Sequence, residues 1–210
     1  MSQPIDELAK LFARSTPPGW EAQVKMAPHP YRQLKERPLT PIGAKEAGVL
    51  VVLYPEGNDI FLPLIQRPSY NGPHSGQISL PGGKREEIDK DIIDTALRET
   101  NEELGIRTSD LKIIGRLSDL WVEASNHIVT PSIALCQTKP NFYPDKDEVS
   151  EVITTSIEHL LLDKTMGTIQ IPSKKRGYFE APYFNISNKV VWGATAMILS
   201  ELKEWIYASK

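Results

Sequence analysis

The chain has 210 residues, 40% of them apolar and 24% charged, with a formal net charge of −3, which is one domain of ordinary to generous size with enough chain to bury a core. The charge balance gives no global pull toward nucleic acid or anionic lipid, so an anionic ligand would need a local basic cluster. One cysteine, Cys136, excludes an internal disulfide, no run of about 18 apolar residues could span a membrane, and Asp6 and Glu7 stand where a signal peptide carries basic charge; a cytoplasmic protein with no nucleic-acid or membrane partner is expected.

Ile5, Leu8, Leu11 and Phe12 fall on one side of a helix running to Arg14, and Pro17-Pro18-Gly19 ends it. The stretch to about residue 44 is proline-rich and aperiodic. Because Trp20, Met26 and Tyr31 want cover, it reads as an ordered arm, so residues 1–43 are assigned to a helix and arm packed on a domain of residues 44–210. Ala47–Tyr54 and Ile60–Ile65, around the turn Glu56-Gly57-Asn58-Asp59, predict a hairpin. Arg67 to Ser79 reads as a loop, and Ile88 to Leu104 as a helix stopped by Gly105. Strands are expected over Leu111–Leu117, Ile128–Gln137 and Val149–Thr154, a short helix over Ile157–Leu162, and a strand passing into a closing helix over Val190–Ile206. Cys136 lies in the apolar run Ile133-Ala134-Leu135-Cys136 and reads as a buried hydrophobe rather than a nucleophile. Strands predominate in mixed order, which predicts an α+β fold with helices on the faces of a sheet.

The helix after residue 88 carries the chemistry. At about 100° per residue, Ile93, Ala96, Leu97, Thr100 and Leu104 share a core-facing stripe, and Arg98, Glu99, Glu102 and Glu103 occupy the arc beside it. The three glutamates stand at i, i+3 and i, i+4 spacings, where like charges cost an isolated helix roughly a few tenths of a kcal/mol per pair. Arg98 can neutralise one charge, and a hard divalent cation such as Mg²⁺, which takes oxygen ligands, can neutralise more. The competing reading of this string alone is a solvated acidic face. The approach to the helix favours the cation: Gly82 and Gly83 form a tight turn that lets backbone N–H groups come close to a ligand, and Lys84 and Arg85 place positive charge beside it for phosphate oxygens.

The run from Gly83 to Ile106 resembles the Nudix box, Gly-x5-Glu-x7-Arg-Glu-U-x-Glu-Glu-x-Gly-U with U apolar. Arg98-Glu99-Thr100-Asn101-Glu102-Glu103-Leu104-Gly105-Ile106 matches its second half, with Thr100 at an aliphatic position. Fourteen residues rather than thirteen separate Gly83 from Arg98, and Asp89 is the nearest substitute for the early Glu. The added residue, Arg67, and His74-Ser75-Gly76-Gln77-Ile78-Ser79-Leu80-Pro81-Gly82-Gly83 resemble the coenzyme A diphosphatase branch of that family, although Gly72 stands where a second Arg is usual. Segments at 18–28, 147–152 and 192–196 are also similar to that branch.

The resemblance implies a Nudix-type mixed sheet sandwiched between helices, with the N-terminal arm added. It implies hydrolysis of a small-molecule nucleoside diphosphate derivative with Mg²⁺ or Mn²⁺, most specifically coenzyme A or its derivatives, giving 3′,5′-ADP and 4′-phosphopantetheine. Under it Glu99, Glu102 and Glu103 hold the metal, and Gly82 and Gly83 shape its site. Arg98, Glu102 and Glu103 are catalytic, with Arg98 orienting the carboxylates. Arg67, His74 and Lys84 contact substrate. The base is Glu102 or Glu103, with Glu123, Glu148 and Glu151 as alternatives outside the box. ADP-ribose, dinucleotides or damaged nucleotides are alternative substrates, and a non-catalytic nucleotide sensor is the alternative from another class. A homodimer is left open. The histidines His29, His74, His127 and His159 lack metal-ligand spacing, and Tyr183 and Trp192 read as core rather than as substrate stackers.

Overall fold

A computed structural model describes residues 4–70, 75–173 and 177–208. Helix α1 (Pro4–Arg14) and the one-turn α2 (Trp20–Gln23) precede the sheet. Strands β1 (Lys45–Glu56) and β2 (Asp59–Gln66) form the expected hairpin, with Glu56 opposite Asp59. Two short strands, β3 (Ile78–Ser79) and β4 (Gly82–Lys84), lead to helix α3 (Ile92–Leu104). Then come β5 (Leu111–Arg116), β6 (Leu120–Val122), β7 (His127–Cys136), β8 (Glu151–Ser156) and α4 (Ile157–Leu161). The chain closes with β9 (Met166–Ser173), β10 (Gly177–Ile186), β11 (Lys189–Trp192) and α5 (Gly193–Tyr207).

The main sheet is mixed. Its path runs β3-β2-β1-β7-β5, with β4 also paired to β1, β6 to β7 and β8 to β2. The β1–β7 pair at its centre is parallel from Lys45/His127 to Leu53/Leu135. Both strands read as near-continuous apolar runs because both faces are covered. Val51, Leu53, Ile133 and Leu135 enter a core shared with α1, α4 and α5. Leu50, Val52, Tyr54, Ala134 and Cys136 enter a second core under α3. This is the α+β sandwich expected. Helix α3 lies directly on β1, because a Cβ at Gly48 would overlap the Ile92 carbonyl.

Two readings need correction. The helix expected from Ile88 starts at Ile92, since Asp91 caps it by accepting from the Ile93 and Asp94 N–H groups at 2.9 Å each. Ile88 is left exposed in the preceding turn. The strands β9 and β10 were not anticipated. They pair antiparallel and join β11 in a separate three-stranded sheet. β9 is exposed or half-buried throughout, so no full apolar period marks it.

The arm is tied down at a point no periodicity marks. Glu201, fully buried on α5, accepts from the Gly19 N–H (3.0 Å), the Gln23 side-chain amide (2.8 Å) and the Ser118 N–H (3.2 Å). The Gln23 amide also donates to the Ser118 carbonyl at 2.9 Å. One carboxylate thus joins the arm, the β5–β6 loop and α5. Helix α1 docks nearby through Phe12, whose ring lies 4.6 Å from that of Trp205.

Candidate active site

The chain before α3 turns so that Asp89 faces back along the helix. Its side chain is 1% exposed, and the carboxylate accepts from the Glu86 N–H (2.9 Å), the Thr95 hydroxyl (2.8 Å) and Arg98 Nε (2.9 Å). The Arg98 guanidinium holds this carboxyl well below the usual carboxylate range. Asp89 therefore occupies a structural position beside Arg98, in the turn ahead of the helix. Arg98 Nη1 also donates to Glu99 Oε1 and Glu102 Oε2, each at 2.9 Å, and its Nη2 to the Lys84 carbonyl at 3.2 Å. One guanidinium fork joins the turn, the β4 strand and two of the three box glutamates.

The third glutamate differs. Glu103 is 1% exposed, and its Oε2 accepts from the Gly82 N–H at 2.7 Å. Gly82 has φ +145, and any Cβ there would overlap the Gly48 carbonyl of β1. Glycine is thus required for the N–H to reach Glu103. At Gly83 a Cβ would overlap the Glu99 carboxyl group, so the turn and the helix approach one another at these two residues. Burial pushes the Glu103 carboxyl up to about 8 against an ordinary 4.5. The Gly82 N–H and Arg67 oppose the shift, and the charges of Glu99 and Glu148 add to it. Burial also raises Glu99, against the pull of Arg98.

Among the sequence-assigned substrate contacts, Arg67, just after β2, has Nη1 3.8 Å from Glu103 Oε1, while its Nε is buried with no hydrogen-bond partner among the described residues. The Lys84 side chain is exposed, and only its backbone carbonyl meets Arg98. His74 and Gly72 lie outside the described residues. Of the outlying carboxylates, Glu123 accepts from the Tyr31 hydroxyl of the arm. Glu151 is ion-paired with Lys189 at 2.7 Å. Glu148 stands close enough to add its charge to both Glu99 and Glu103. Its loop is fastened to the end of α3, where the Tyr143 and Asp145 N–H groups donate to the Leu104 and Glu103 carbonyls at 2.8 and 3.2 Å. Lys189 was missed by sequence reasoning. It also donates to Gln66 Oε1 at 2.8 Å, and Gln66 reaches the Gly76 carbonyl at 3.5 Å, bracing the segment that follows Arg67. A lone lysine in β11 carries no signal for that contact.

The donor set suits a hard cation. It consists of carboxylate oxygens, two of them destabilised as anions by burial, with Arg98 and Arg67 as the cations beside them. Among the described residues no three of these side chains form a ready-made cage, and each box glutamate accepts from a protein donor. Gly83→Ala tests the arrangement. Its Cβ must displace the Glu99 carboxyl, so Mn²⁺ affinity, read by electron paramagnetic resonance, is expected to fall by about 10- to 100-fold, as when a ligand loses its support. Thermal stability should change little, since Gly83 is outside the positive-φ region.

A family model described as NUDIX domain matches residues 44–174. The chain is 30% identical over 159 residues to an uncharacterized Nudix hydrolase, NudL, of Pectobacterium atrosepticum, covering 75% of this chain and 81% of that protein. A NudL of Yersinia pestis is 30% identical over 146 residues, 69% of this chain and 72% of that one. Among solved structures, RenU, a Nudix hydrolase from M. smegmatis, superposes with a TM-score of 0.54 at 14% identity, covering 79% of this chain and 87% of that one. At that identity the likeness concerns the fold.

Proposed function

This chain belongs to the Nudix family of hydrolases, acting on nucleoside diphosphate derivatives with a divalent cation, and on that footing we propose that it cleaves coenzyme A or its derivatives to 3′,5′-ADP and 4′-phosphopantetheine. The observation that carries the assignment of the site is the pairing of α3 with the Gly82–Gly83 turn, which brings the carboxyl groups of Glu99 and Glu103 against glycine backbone while Asp89, Glu99 and Glu102 share the one guanidinium of Arg98. The preference for coenzyme A rests on the likeness of Arg67 and residues 74–83 to that branch, and on the one-residue lengthening between Gly83 and Arg98.

Glu99, Glu102 and Glu103 would hold Mg²⁺ or Mn²⁺, which when bound offsets the negative charge that builds on phosphoryl oxygens. Water supplies the oxygen that forms the new P–O bond, and the bridging anhydride oxygen leaves with the other phosphate. Arg98 orients Glu99 and Glu102 through its two 2.9 Å bonds. Arg67, whose guanidinium lies beside Glu103, would contact phosphate oxygens, and Lys84 and His74 would be further contacts. The proton released by water passes to a carboxylate. Glu102 is already bonded to Arg98, so Glu148, in the loop fixed to the end of α3, is the better placed acceptor outside the box.

The test is a panel of coenzyme A, ADP-ribose and dinucleoside polyphosphates with Mg²⁺ and with Mn²⁺, products identified by mass. Coenzyme A should have the highest kcat/KM, and turnover far below that of ADP-ribose would defeat the choice of substrate.

The metal assignment makes a separate prediction. In the metal-free protein Glu103 keeps a proton up to about pH 8 that the unfolded chain releases near 4.5. The native state therefore binds more protons across that window, and the stability contributed by this group is full below the lower value and lost as pH rises through the upper one. A cation at Glu103 replaces that proton. The Mg²⁺-induced rise in Tm should be small near pH 6 and larger near pH 8.5. Equal shifts at both would remove Glu103 from the ligand set.

A further inference from the structure

A cavity of about 400 Å³ lies between α5, the arm and the β9–β10 hairpin, built from elements that pack on the sheet face opposite α3. Lys203 forms part of its wall. The Lys203 side chain is 5% exposed, yet its carboxylate partner, Asp163 at 2.9 Å, is 84% exposed. The other neighbours of the ammonium are soft: the Met166 sulfur at 4.0 Å and the Phe184 ring, whose centroid is 6.0 Å away. An ammonium has three N–H donors, and a buried one is costly unless its donors are met. One carboxylate at the protein surface is thin compensation.

The rest of the lining fits a small anion. Lys25, Arg32 and Lys203 face two carboxylates, Asp163 and Glu204, and Glu204 is already held by Lys25 at 2.7 Å. Arg32 has no carboxylate partner among the described residues. Met26, Met166 and Pro182 give the cavity an apolar side. We propose that this cavity is a second ligand site, distinct from the α3 site, for a small organic oxyanion. Its head would take the remaining N–H directions of Lys203 together with Arg32, and its apolar body would lie on Met26, Met166 and Pro182. Asp163 is then the internal stand-in that the ligand's charge displaces.

The experiment titrates phenyl phosphate, with inorganic phosphate as the bodiless comparison, into metal-free protein carrying ¹³C-methyl methionine. The methionine methyls separate the two sites, since Met26 packs in the core on the sheet face opposite α3, and phosphate held at Arg67 would leave it still. Met26 and Met166 line the cavity, whereas Met197 sits in the core and serves as the control. Saturable shifts of Met26 and Met166, with Met197 still, are expected. Binding should weaken about tenfold in Lys203→Gln, the scale of one charge-assisted hydrogen bond. It should tighten in Asp163→Asn, a change at an exposed side chain that leaves the core intact. No saturable shift at Met26 and Met166, shifts equal at all three methyls, or unchanged affinity in Asp163→Asn would overturn the proposal. Phenyl phosphate binding more tightly than inorganic phosphate supports the apolar wall, and equal affinity removes it.

Discussion

Glu103→Gln is expected to lower kcat by two to three orders of magnitude or more while leaving the protein folded, on the scale of losing one main electrostatic stabiliser. Glutamine keeps an oxygen that accepts the Gly82 N–H, so the 2.7 Å bond between α3 and the turn survives. What disappears is a negative charge buried to 1% exposure, and with it the attraction for a divalent cation. Without metal, near pH 8.5, the variant should be no less stable than the parent, since the parent there carries an unfavourable buried anion. Glu102→Gln is the comparison. Its carboxylate is exposed and bonded to Arg98, so the loss is expected in turnover with almost none in Tm. Steady-state kinetics with thermal melts in EDTA and in Mg²⁺ check both, and unchanged turnover in the two variants would dispose of the assigned site.

Glu201→Leu carries the largest expected loss of stability. The leucine would leave the partly buried Gly19 and Ser118 N–H groups and one buried Gln23 amide proton without their acceptor. At about 1–3 kcal/mol for each stranded donor, less whatever local relaxation recovers, the loss should be about 3–5 kcal/mol. For a chain of this size that lowers Tm on the order of 10 °C. Glu201→Gln keeps one acceptor oxygen and should fall between. Because the partners of Glu201 lie in the arm and the β5–β6 loop, away from the α3 carboxylates, activity per folded molecule should hold at low temperature. Denaturant melts and kinetics at about 10 °C separate the two effects.

Features that depend on near neighbours in sequence were readable, and those that depend on distant ones were not. The spacing of Arg98, Glu99, Glu102 and Glu103 is a property of one helix, so its clustering follows from geometry. The glycine turn is legible for the same reason. That Gly82 donates to Glu103 requires β4 to pair with β1 and α3 to lie on Gly48, which only the tertiary fold supplies. Asp89 stands in sequence near the place of a missing Glu, but its bond to Arg98 depends on where the helix starts, and the Asp91 cap sets that start. Glu201 sits in a helix buried along most of its length, and nothing in residues 193–207 says that its partners lie in the arm. The contacts of Lys189 were not legible because its partners, Gln66 and Glu151, lie 123 and 38 residues away in the chain.

The clasp at Glu201 has a consequence for how the molecule is made. Gly19 and the carboxylate that receives it are 182 residues apart. At roughly 5–20 residues per second of synthesis, the arm is extruded some 10–40 s before its docking partner exists. During that interval Trp20, Met26 and the underside of the sheet have no cover from α5. A ribosome stalled between residues 174 and 201 would therefore hold a chain with its Nudix box complete and its arm undocked.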